Sequence, residues 1–488
     1  MKSLLPVLLF TSCAFGAAPV TLPGKSPIVN FRIVFRTGAA SDPAGKPGTA
    51  ALTAAMLSEG GTKELTRKQI LDRLFPIASS VRGNVDKEMI VFEGATHVDN
   101  LDEYYSILRA MILEPGWRED DLKRLKDDAI NYLRVSLRGN NDEELGKEVL
   151  YSEIYAGHPY GHHNVGTVSS IQKLTMDDLK AFYAANFTEA NLTIGLAGGY
   201  PAGFDARVRK DFAKLSDGEA STLKLPAPKA PEANRLVIVK KPARSVAYSF
   251  GFPIDVRRGH PDYPALLVAQ AWLGPHRSSG GRLYQRMRQI RGLNYGDYAY
   301  IEHFPNGMFA MEPDPNIARQ QQVFQIWIRP VETPTAHFAL RLAVYEVNRF
   351  VTDGLTEQGF QEAKNFVSKN VNLLTRTKSA ELGYAIDSQF YGIPNYNTYI
   401  RDAVAKLTRD EVNRAIRRHL RSDRMIIVAI AEDAEGLKSK LLSSQPSPMT
   451  YNSNKPDDIV AEDKIVSSWN LRLKPDAVRI IQGDTVFE

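Results

Sequence analysis

Hydrophobic and polar positions along the chain follow two periods that change from segment to segment. Apolar runs typical of buried strands occupy residues 28–36, 89–95 and 236–240. Apolar residues that recur every three or four positions predict helices over residues 48–58, 66–75, 99–113, 118–137, 142–155, 262–273, 336–353 and 356–376. Helices and strands do not alternate regularly, so the pattern predicts an α+β fold with mainly antiparallel sheets rather than a doubly wound parallel sheet.

Two segments of the chain repeat one pattern. Residues 173–197 and 406–430 each begin with Lys-Leu-Thr, continue through a helical pattern and end in an apolar run. In both copies a Thr is placed to cap the helix, and an acid follows three residues later: Asp178 in the first copy and Glu411 in the second. The copies align without a gap at an offset of 233 positions. This predicts an internal duplication, with two homologous halves that each contain a sheet covered by helices.

The length of 488 residues exceeds what one hydrophobic core usually serves. A stretch rich in Ala, Pro and Lys at residues 215–234 is typical of a linker. The predicted units are a signal peptide at 1–16, a first domain at 17–214, a second domain at 235–443 and an extension at 444–488. In the extension, Pro446, Pro448 and Pro456 with the pair Asp457–Asp458 predict an extended arm, and residues 478–481 predict a short strand.

The N-terminus has the pattern of a secretory signal. Lys2 precedes an apolar run at residues 4–10, and Ala14-Phe15-Gly16 is typical of a cleavage site. Cys13 could instead carry a lipid anchor, but Phe10 is atypical at the start of a lipoprotein box, so lipidation ranks second. Cys13 is the only cysteine, which excludes an internal disulfide. We expect a periplasmic or secreted protein.

Composition narrows the function classes further. Hydrophobic residues make up 43% and charged residues 24%, as in ordinary globular proteins. The net charge of +5 is small for this length and its basic residues are dispersed, so a nucleic-acid partner is not expected. No later apolar run is long enough to cross a membrane. The chain also lacks a nucleophile elbow, a phosphate loop and a dinucleotide-type glycine fingerprint, which disfavours a stand-alone enzyme of another class.

Residues 48–62, Gly-Thr-Ala-Ala-Leu-Thr-Ala-Ala-Met-Leu-Ser-Glu-Gly-Gly-Thr, resemble the signature helix of the M16 (pitrilysin-like, mitochondrial-processing-peptidase-like) metallopeptidases. In that family a strand leads to a helix that carries His-x-x-Glu-His and ends near Gly-Thr. Here the preceding strand and the trailing Gly61-Thr62 are both present. The resemblance covers about residues 28–440 and implies the LuxS/MPP-like metallohydrolase fold in both halves.

The metal-binding positions of that motif are occupied by alanine. Positions 1, 4 and 5 of such a helix share one face, where two imidazoles can grip zinc and a carboxylate can deprotonate the bound water. In this chain they are Ala51, Ala54 and Ala55, and none offers a lone pair. The resemblance places a third ligand, a Glu, on the 118–137 helix, yet no Glu occurs between Asp120 and Asp142. We expect no metal bound by this chain.

The histidine cluster at residues 158–163, His-Pro-Tyr-Gly-His-His, is a weaker metal candidate. Its Pro and Gly disfavour a helix, and family members have a similar stretch as a structural loop. We therefore expect a structural loop here.

Residues 278–295 resemble a second M16 signature, a helix ending in Arg followed by a Gly-Leu-x-Tyr turn. The functional Arg and Tyr of the family lie seven apart, as Arg288 and Tyr295 do here. The resemblance implies that this pair faces a zinc site across a chamber and helps to hold the substrate backbone and the developing oxyanion. It also suggests substrate contacts for Gly280, Gly281 and Arg282. For any one of these residues, ordinary solvation or packing is the competing interpretation.

Together the two signatures imply a non-catalytic subunit of a heterodimeric zinc peptidase. Zinc, its water and the general base would come from a zinc-bearing M16 paralogue, and this chain would contribute Arg288, Tyr295 and part of the chamber wall. The substrate would be a peptide or an unfolded polypeptide. The alternative is a non-proteolytic scaffold or peptide-binding protein of the same fold.

Overall fold

A computed structural model describes residues 17–221, 223–447 and 449–488. The predicted signal peptide and Cys13 lie outside the described residues. The helices that the structure describes include none that is both long and apolar enough to cross a bilayer.

The strands are short and fall into two groups along the chain. They are β1 (Val20–Pro23), β2 (Ile28–Phe35), β3 (Ser80–Val85), β4 (Ile90–His97), β5 (Leu192–Gly198), β6 (Arg235–Lys240), β7 (Ser245–Ile254), β8 (Asp297–Tyr300), β9 (Gln322–Glu332), β10 (Ile426–Ala431) and β11 (Val478–Gln482). The apolar runs predicted as strands correspond to β2, β4 and β6, with boundaries that differ by one or two residues.

The helices agree with the predicted periodicity where it marked one, and they include others that it did not mark, among them those at Lys378–Tyr391 and Tyr396–Lys406. They are α1 (Thr49–Glu59), α2 (Arg67–Leu74), α3 (Leu101–Leu113), α4 (Glu119–Asn131), α5 (Asp142–Ile154), α6 (Val168–Lys173), α7 (Met176–Asn186), α8 (Phe204–Phe212), α9 (Tyr263–Leu273), α10 (Arg282–Tyr284), α11 (Ala336–Asp353), α12 (Glu357–Leu374), α13 (Lys378–Tyr391), α14 (Tyr396–Lys406), α15 (Arg409–His419), α16 (Ala434–Leu442) and α17 (Asp457–Ser467). Two π-helical turns continue α4 over Tyr132–Leu137 and α10 over Gln285–Gln289.

The two sheets share one topology. The first has the strand order β1-β5-β2-β4-β3, and the second has β11-β6-β10-β7-β9-β8. Without β11 the orders are the same when each half is numbered from its own first strand. In both halves the first strand runs parallel to the last, and the remaining pairs are antiparallel. The predicted α+β class, the mainly antiparallel sheets and the two homologous halves are confirmed.

The repeated segments form equivalent units at the centre of each half. α7 leads to β5, and α15 leads to β10. The side chains of Thr175 and Thr408 each accept a hydrogen bond from the backbone N–H three residues on, and the carboxylate at that position accepts one from the threonine N–H. Both helices therefore begin with a capping box. The duplication is thus visible in side-chain detail as well as in topology.

Each half covers the sheet of the other with one helix. α5, from the first half, packs on β7, β9 and β10 of the second sheet. α13, from the second half, packs on β1, β2 and β5 of the first. The approach of α13 is close, because a Cβ added at Gly195 would lie 2.8 Å from the Cδ1 of Ile386. This reciprocal exchange buries the second face of each sheet and joins the halves.

The segment between the halves contains no helix or strand from Leu215 to Asn234 in its described part. It lies against the first half. His158 Nε2 is 3.0 Å from the carbonyl oxygen of Pro226, and the Ser221 N–H donates to Asn191 Oδ1 at 2.6 Å. The chain between the sheets is therefore laid along the surface of the first half.

The C-terminal extension differs from its prediction in part. The short strand is present as β11, which runs parallel to β6 at the edge of the second sheet. The extended arm at Asp457–Asp458 is wrong, because α17 begins there after Pro456. Ile459 and Val466 are buried on its inner face, and between them Asp463 forms an ion pair with Arg291. The stripe that holds this helix includes a charged residue, so apolar periodicity did not mark it.

Candidate functional site

The helix α1 begins at a tightly built turn. Gly48 precedes it with a φ of 94°, in the left-handed region, and an added Cβ would lie 2.4 Å from the Val165 carbonyl oxygen. Asp42 caps the helix, since its two carboxylate oxygens accept the N–H groups of Gly48 and Ala50, each at 2.7 Å. The helix is thus anchored firmly at its start, as a site-bearing helix must be.

The three alanines predicted at degenerate metal positions lie in the middle of α1. Ala51 and Ala55, four residues apart on one face, are half-buried, whereas Ala54 is fully buried in the core of the first half. None of the three carries a side-chain donor or acceptor. Within the described residues, the one cluster of three side chains spaced to bind a metal does not include α1 or the helix that follows Arg118.

The histidine loop at residues 158–163 is held by the protein itself. His158 Nδ1 accepts the Tyr160 N–H at 3.0 Å, and His162 Nε2 lies 3.0 Å from Asp42, the residue that caps α1. His163 is buried, and burial together with the nearby Lys87 ammonium lowers its pKa to about 3. The loop supports the start of α1, in line with the structural interpretation.

A cleft of about 480 Å³ lies between the two halves. The first half contributes β3 residues such as Arg82 and Asn84, together with Tyr132 and Glu148, and the second half contributes the segment around His303. β3 is the outermost strand of the first sheet, and its outer edge pairs with no strand of the described chain. An edge strand at a cleft is suited to take up an extended peptide.

A buried ion pair joins the halves beside this cleft. Arg319 binds Asp86 through two hydrogen bonds, one from Nε to Oδ2 at 2.7 Å. Burial alone would raise the pKa of Asp86, but the guanidinium outweighs it and lowers that pKa to about 2. The two residues are 233 positions apart, the offset between the repeated segments, and each precedes an equivalent strand, β4 or β9. They therefore meet where the two copies face each other.

More buried charges line the same region. Lys87 donates to the His162 carbonyl, and burial lowers its pKa to about 8. Burial raises the pKa of Glu148, while Lys147 pairs with Glu144 and its ammonium lies 3.8 Å from the Trp327 ring centroid. Sequence reasoning missed these residues, because their partners are distant in the chain. The one local signal was three charges on the α5 face, at an i, i+3, i+4 spacing.

The structure brings Arg288 and Tyr295 together, as their spacing predicted. The Arg288 guanidinium carbon lies 4.8 Å from the Tyr295 ring centroid. Arg288 is held in place, since its Nε donates to the Tyr284 hydroxyl at 2.8 Å and its Nη1 to the Asn294 carbonyl at 3.1 Å. The Tyr295 ring is 74% exposed. Neither member of the pair lines the cleft between the halves.

The other predicted substrate contacts have structural partners. Arg282 Nε donates to Glu346 at 2.9 Å, and Arg286 does the same to the second oxygen of that carboxylate. Gly281 is buried, and a Cβ there would lie 2.6 Å from the Pro275 ring. Gly280 is exposed beside it. The contacts of Gly281 and Arg282 support the segment that carries Arg288. The role of the three positions toward a substrate stays a prediction.

The profile of insulinase (peptidase family M16) matches residues 22–168, and that of the peptidase M16 inactive domain matches residues 173–367. The chain belongs to the M16 peptidase family. The resemblance seen in the two signature segments is thereby confirmed, and the M16 fold accounts for both halves.

M16 relatives cover most of the chain. The non-peptidase homolog YmxG of Helicobacter pylori is 25% identical over 408 residues, which are 80% of this chain and 86% of the relative. The peptidase M16 inactive domain from Pseudomonas fluorescens has a TM-score of 0.73 at 23% identity and covers 85% of this chain and 95% of that structure. A chain of complex III2 from Candida albicans has a TM-score of 0.66 at 14% identity, with 87% and 94% covered. This chain is an M16-fold protein, and the three α1 positions predicted to be degenerate metal positions hold alanine.

Proposed function

We propose that this chain is the non-catalytic subunit of a two-chain zinc peptidase that hydrolyses peptides or unfolded polypeptides. A zinc-bearing M16 paralogue would supply the metal, its water and the general base. This chain would supply Arg288, Tyr295 and one wall of the chamber that encloses the substrate.

The observation that carries the proposal is the placement of the Arg288–Tyr295 pair. Arg288 is fixed by two hydrogen bonds, while the tyrosine ring beside it is 74% exposed. Neither residue lines the cleft between the halves, and the exposed tyrosine is accessible to a substrate or a partner that docks from outside. A guanidinium and a phenol hydroxyl are donors suited to a peptide carbonyl and to the oxyanion that develops from it.

Two further features support the proposal. The positions on α1 that would hold zinc are alanine, so zinc-dependent hydrolysis would need a metal held by the partner chain. The open edge of β3 lies at the cleft between the halves, where it could bind an extended chain by strand addition. Such binding selects unfolded segments and not folded proteins.

The second candidate is a non-proteolytic scaffold. The names of two similar proteins favour it, since one is a non-peptidase homolog and another belongs to complex III2. A scaffold has no need of an exposed, ordered Arg–Tyr pair, which is why we rank it second.

The test uses the chain alone and mixed with the zinc-motif M16 paralogue of the same organism. An unstructured fluorogenic peptide is assayed with zinc present. We expect turnover only in the mixture, with Arg288→Ala lowering kcat by about 100-fold, the loss typical of one oxyanion-stabilising donor. Tyr295→Phe should lower kcat by a smaller factor, because only one neutral donor is removed.

Arg401→Ala is the control for loss of an arginine, because Arg401 is exposed and lies on α14, which carries neither member of the pair. It should leave both assembly and kcat unchanged. Full activity of the mixture with Arg288→Ala would refute the role of the pair. A mixture that assembles and never cleaves would favour the scaffold.

A further inference from the structure

A cluster of three side chains of the types that bind metals lies in the second half, and the proposed function assigns no role to any of them. His260, Asp262 and His419 are each half-buried, and one ligand atom from each lies within 4.8 Å of the other two. It is the one such cluster found among the residues that the structure describes. Two imidazoles and one carboxylate form a ligand set that holds Zn²⁺ and other late divalent metals.

Two elements place these side chains. His260 and Asp262 lie on the turn that leads into α9, where the His260 N–H donates to the Arg257 carbonyl at 2.9 Å and the Tyr263 N–H to the His260 carbonyl at 3.0 Å. Pro261 lies between them and fixes its own φ. His419 is the last residue of α15. The turn and the helix end are both anchored, so the cluster is preorganised.

Present contacts within the cluster are hydrogen bonds that a metal would replace. His419 Nε2 lies 2.7 Å from Asp262 Oδ2. The Asp262 N–H donates to His260 Nδ1 at 3.0 Å, and coordination through either nitrogen of that ring requires release of this bond. Neighbouring ligands of tetrahedral zinc are roughly 3.3 Å apart, given Zn–N distances of about 2.0 Å. All three ligand atoms lie within 4.8 Å of one another, so small rotations of these half-buried side chains bring them to that spacing.

One cation competes with a metal for this site. Arg418 Nη1 lies 2.9 Å from the same oxygen, Asp262 Oδ2, and its side chain is 66% exposed. An exposed ion pair of this kind contributes little to stability, so its loss should destabilise the fold only slightly. Its charge nevertheless weakens the attraction of the site for a dication.

We propose that His260, Asp262 and His419 form a binding site for one zinc ion or a similar late divalent metal. Bound there, the metal would join the start of α9 to the end of α15 and stabilise the second half. The site does not depend on the proposed peptidase function, since it lies apart from the α1 alanines and from the Arg288 pair.

Zinc titration of the tag-free chain by isothermal calorimetry, followed by thermal unfolding, tests this. We expect one tight equivalent, and a melting temperature that rises by several degrees when zinc saturates the site. His419→Gln, which keeps a hydrogen-bond donor toward Asp262, should weaken binding at least tenfold and remove the thermal shift. Arg418→Ala should tighten binding severalfold, because it frees the carboxylate.

His97→Ala is the matched control. Its ring pairs with Asp99 at 3.2 Å without a third ligand, so its loss should leave the titration unchanged. Equal zinc affinity in wild type and His419→Gln would overturn the proposal. Weaker zinc binding by Arg418→Ala would also overturn the proposal, because that result is expected if the Arg418–Asp262 ion pair only maintains the local structure.

Discussion

At the residue scale, the buried histidines link stability to pH. His163 is neutral in the fold, because burial and then Lys87 lower its pKa from 6.5 to about 3. The unfolded chain binds the proton more readily between these two values, so the free energy of unfolding must decrease as pH falls through that window. Above pH 6.5 the stabilisation by neutral His163 is fully present.

Replacing His163 with Asn should flatten this dependence. Asn keeps an acceptor for the Val165 N–H, which His163 Nδ1 binds at 3.1 Å, and does not titrate. Between pH 6.5 and 5, the loss of unfolding free energy should be smaller than in wild type by about 2 kcal/mol, at about 1.4 kcal/mol per pH unit. Urea denaturation at several pH values measures this, with His97→Asn as the exposed control. Parallel curves for wild type and His163→Asn would contradict the assignment.

Residues differ in how far the sequence predicts them. The sequence marks Ala51 and Arg288 as candidate site positions because a helical signature places functional side chains at fixed spacing. At such a position the absence of a ligand side chain is recognised as readily as its presence. The Asp86–Arg319 pair could not be predicted, since its partners are 233 positions apart and neither stands in a signature. Only the meeting of the two copies brings them together, and that depends on the whole fold.

At the element scale, apolar periodicity located the helices α1 to α5, α9, α11 and α12, which carry a clear amphipathic pattern, but it did not mark the strands β7 and β9 or the helix α13. It failed at α17, where Asp463 interrupts the apolar stripe and is stabilised by Arg291 and Tyr451 instead. A helix held by buried ion pairs has no hydrophobic signature. The exchange of α5 and α13 between the sheets could not be predicted either, because the apolar face of a helix does not indicate which sheet the helix will cover.

Residues 478–488, which we call the tail, provide a prediction at the element scale. β11 completes the second sheet beside β6, and Glu488 beyond it pairs with Arg134 and Arg138 of the first half. Deletion of residues 478–488 exposes the β6 edge and removes these contacts, so we expect a melting temperature lower by at least several degrees and self-association through the open edge. Scanning calorimetry and size-exclusion chromatography report both effects.

Glu488→Gln tests the contribution of the Glu488 carboxylate separately from that of the strand β11. Glu488 is 40% exposed, so its ion pairs should contribute little to stability, and this variant should melt close to wild type. If the point variant is as unstable as the deletion, the charge and not the strand fixes the tail.

At the scale of the whole molecule, the two halves form one closed unit because each sheet needs the helix of the other half. α13 covers the first sheet and α5 the second, and the Asp86–Arg319 pair lies buried between them. The exposed segment before Asn234 connects the halves along the chain but contributes little of this contact. The chain connection should therefore be dispensable once folding is complete.

Cutting that segment tests the idea directly. A site for a specific protease is inserted after Lys229, which is exposed, and the folded protein is cleaved to completion. We expect the two fragments to elute together in native buffer and to separate only in denaturant, because the exchanged helices stay buried on their partner sheets. Arg319→Leu in the cleaved protein leaves Asp86 buried without its partner, a loss of about 3–5 kcal/mol, and should promote dissociation. Fragments that separate in native buffer without this substitution would mean that the linker, and not the exchange of helices, holds the two halves together.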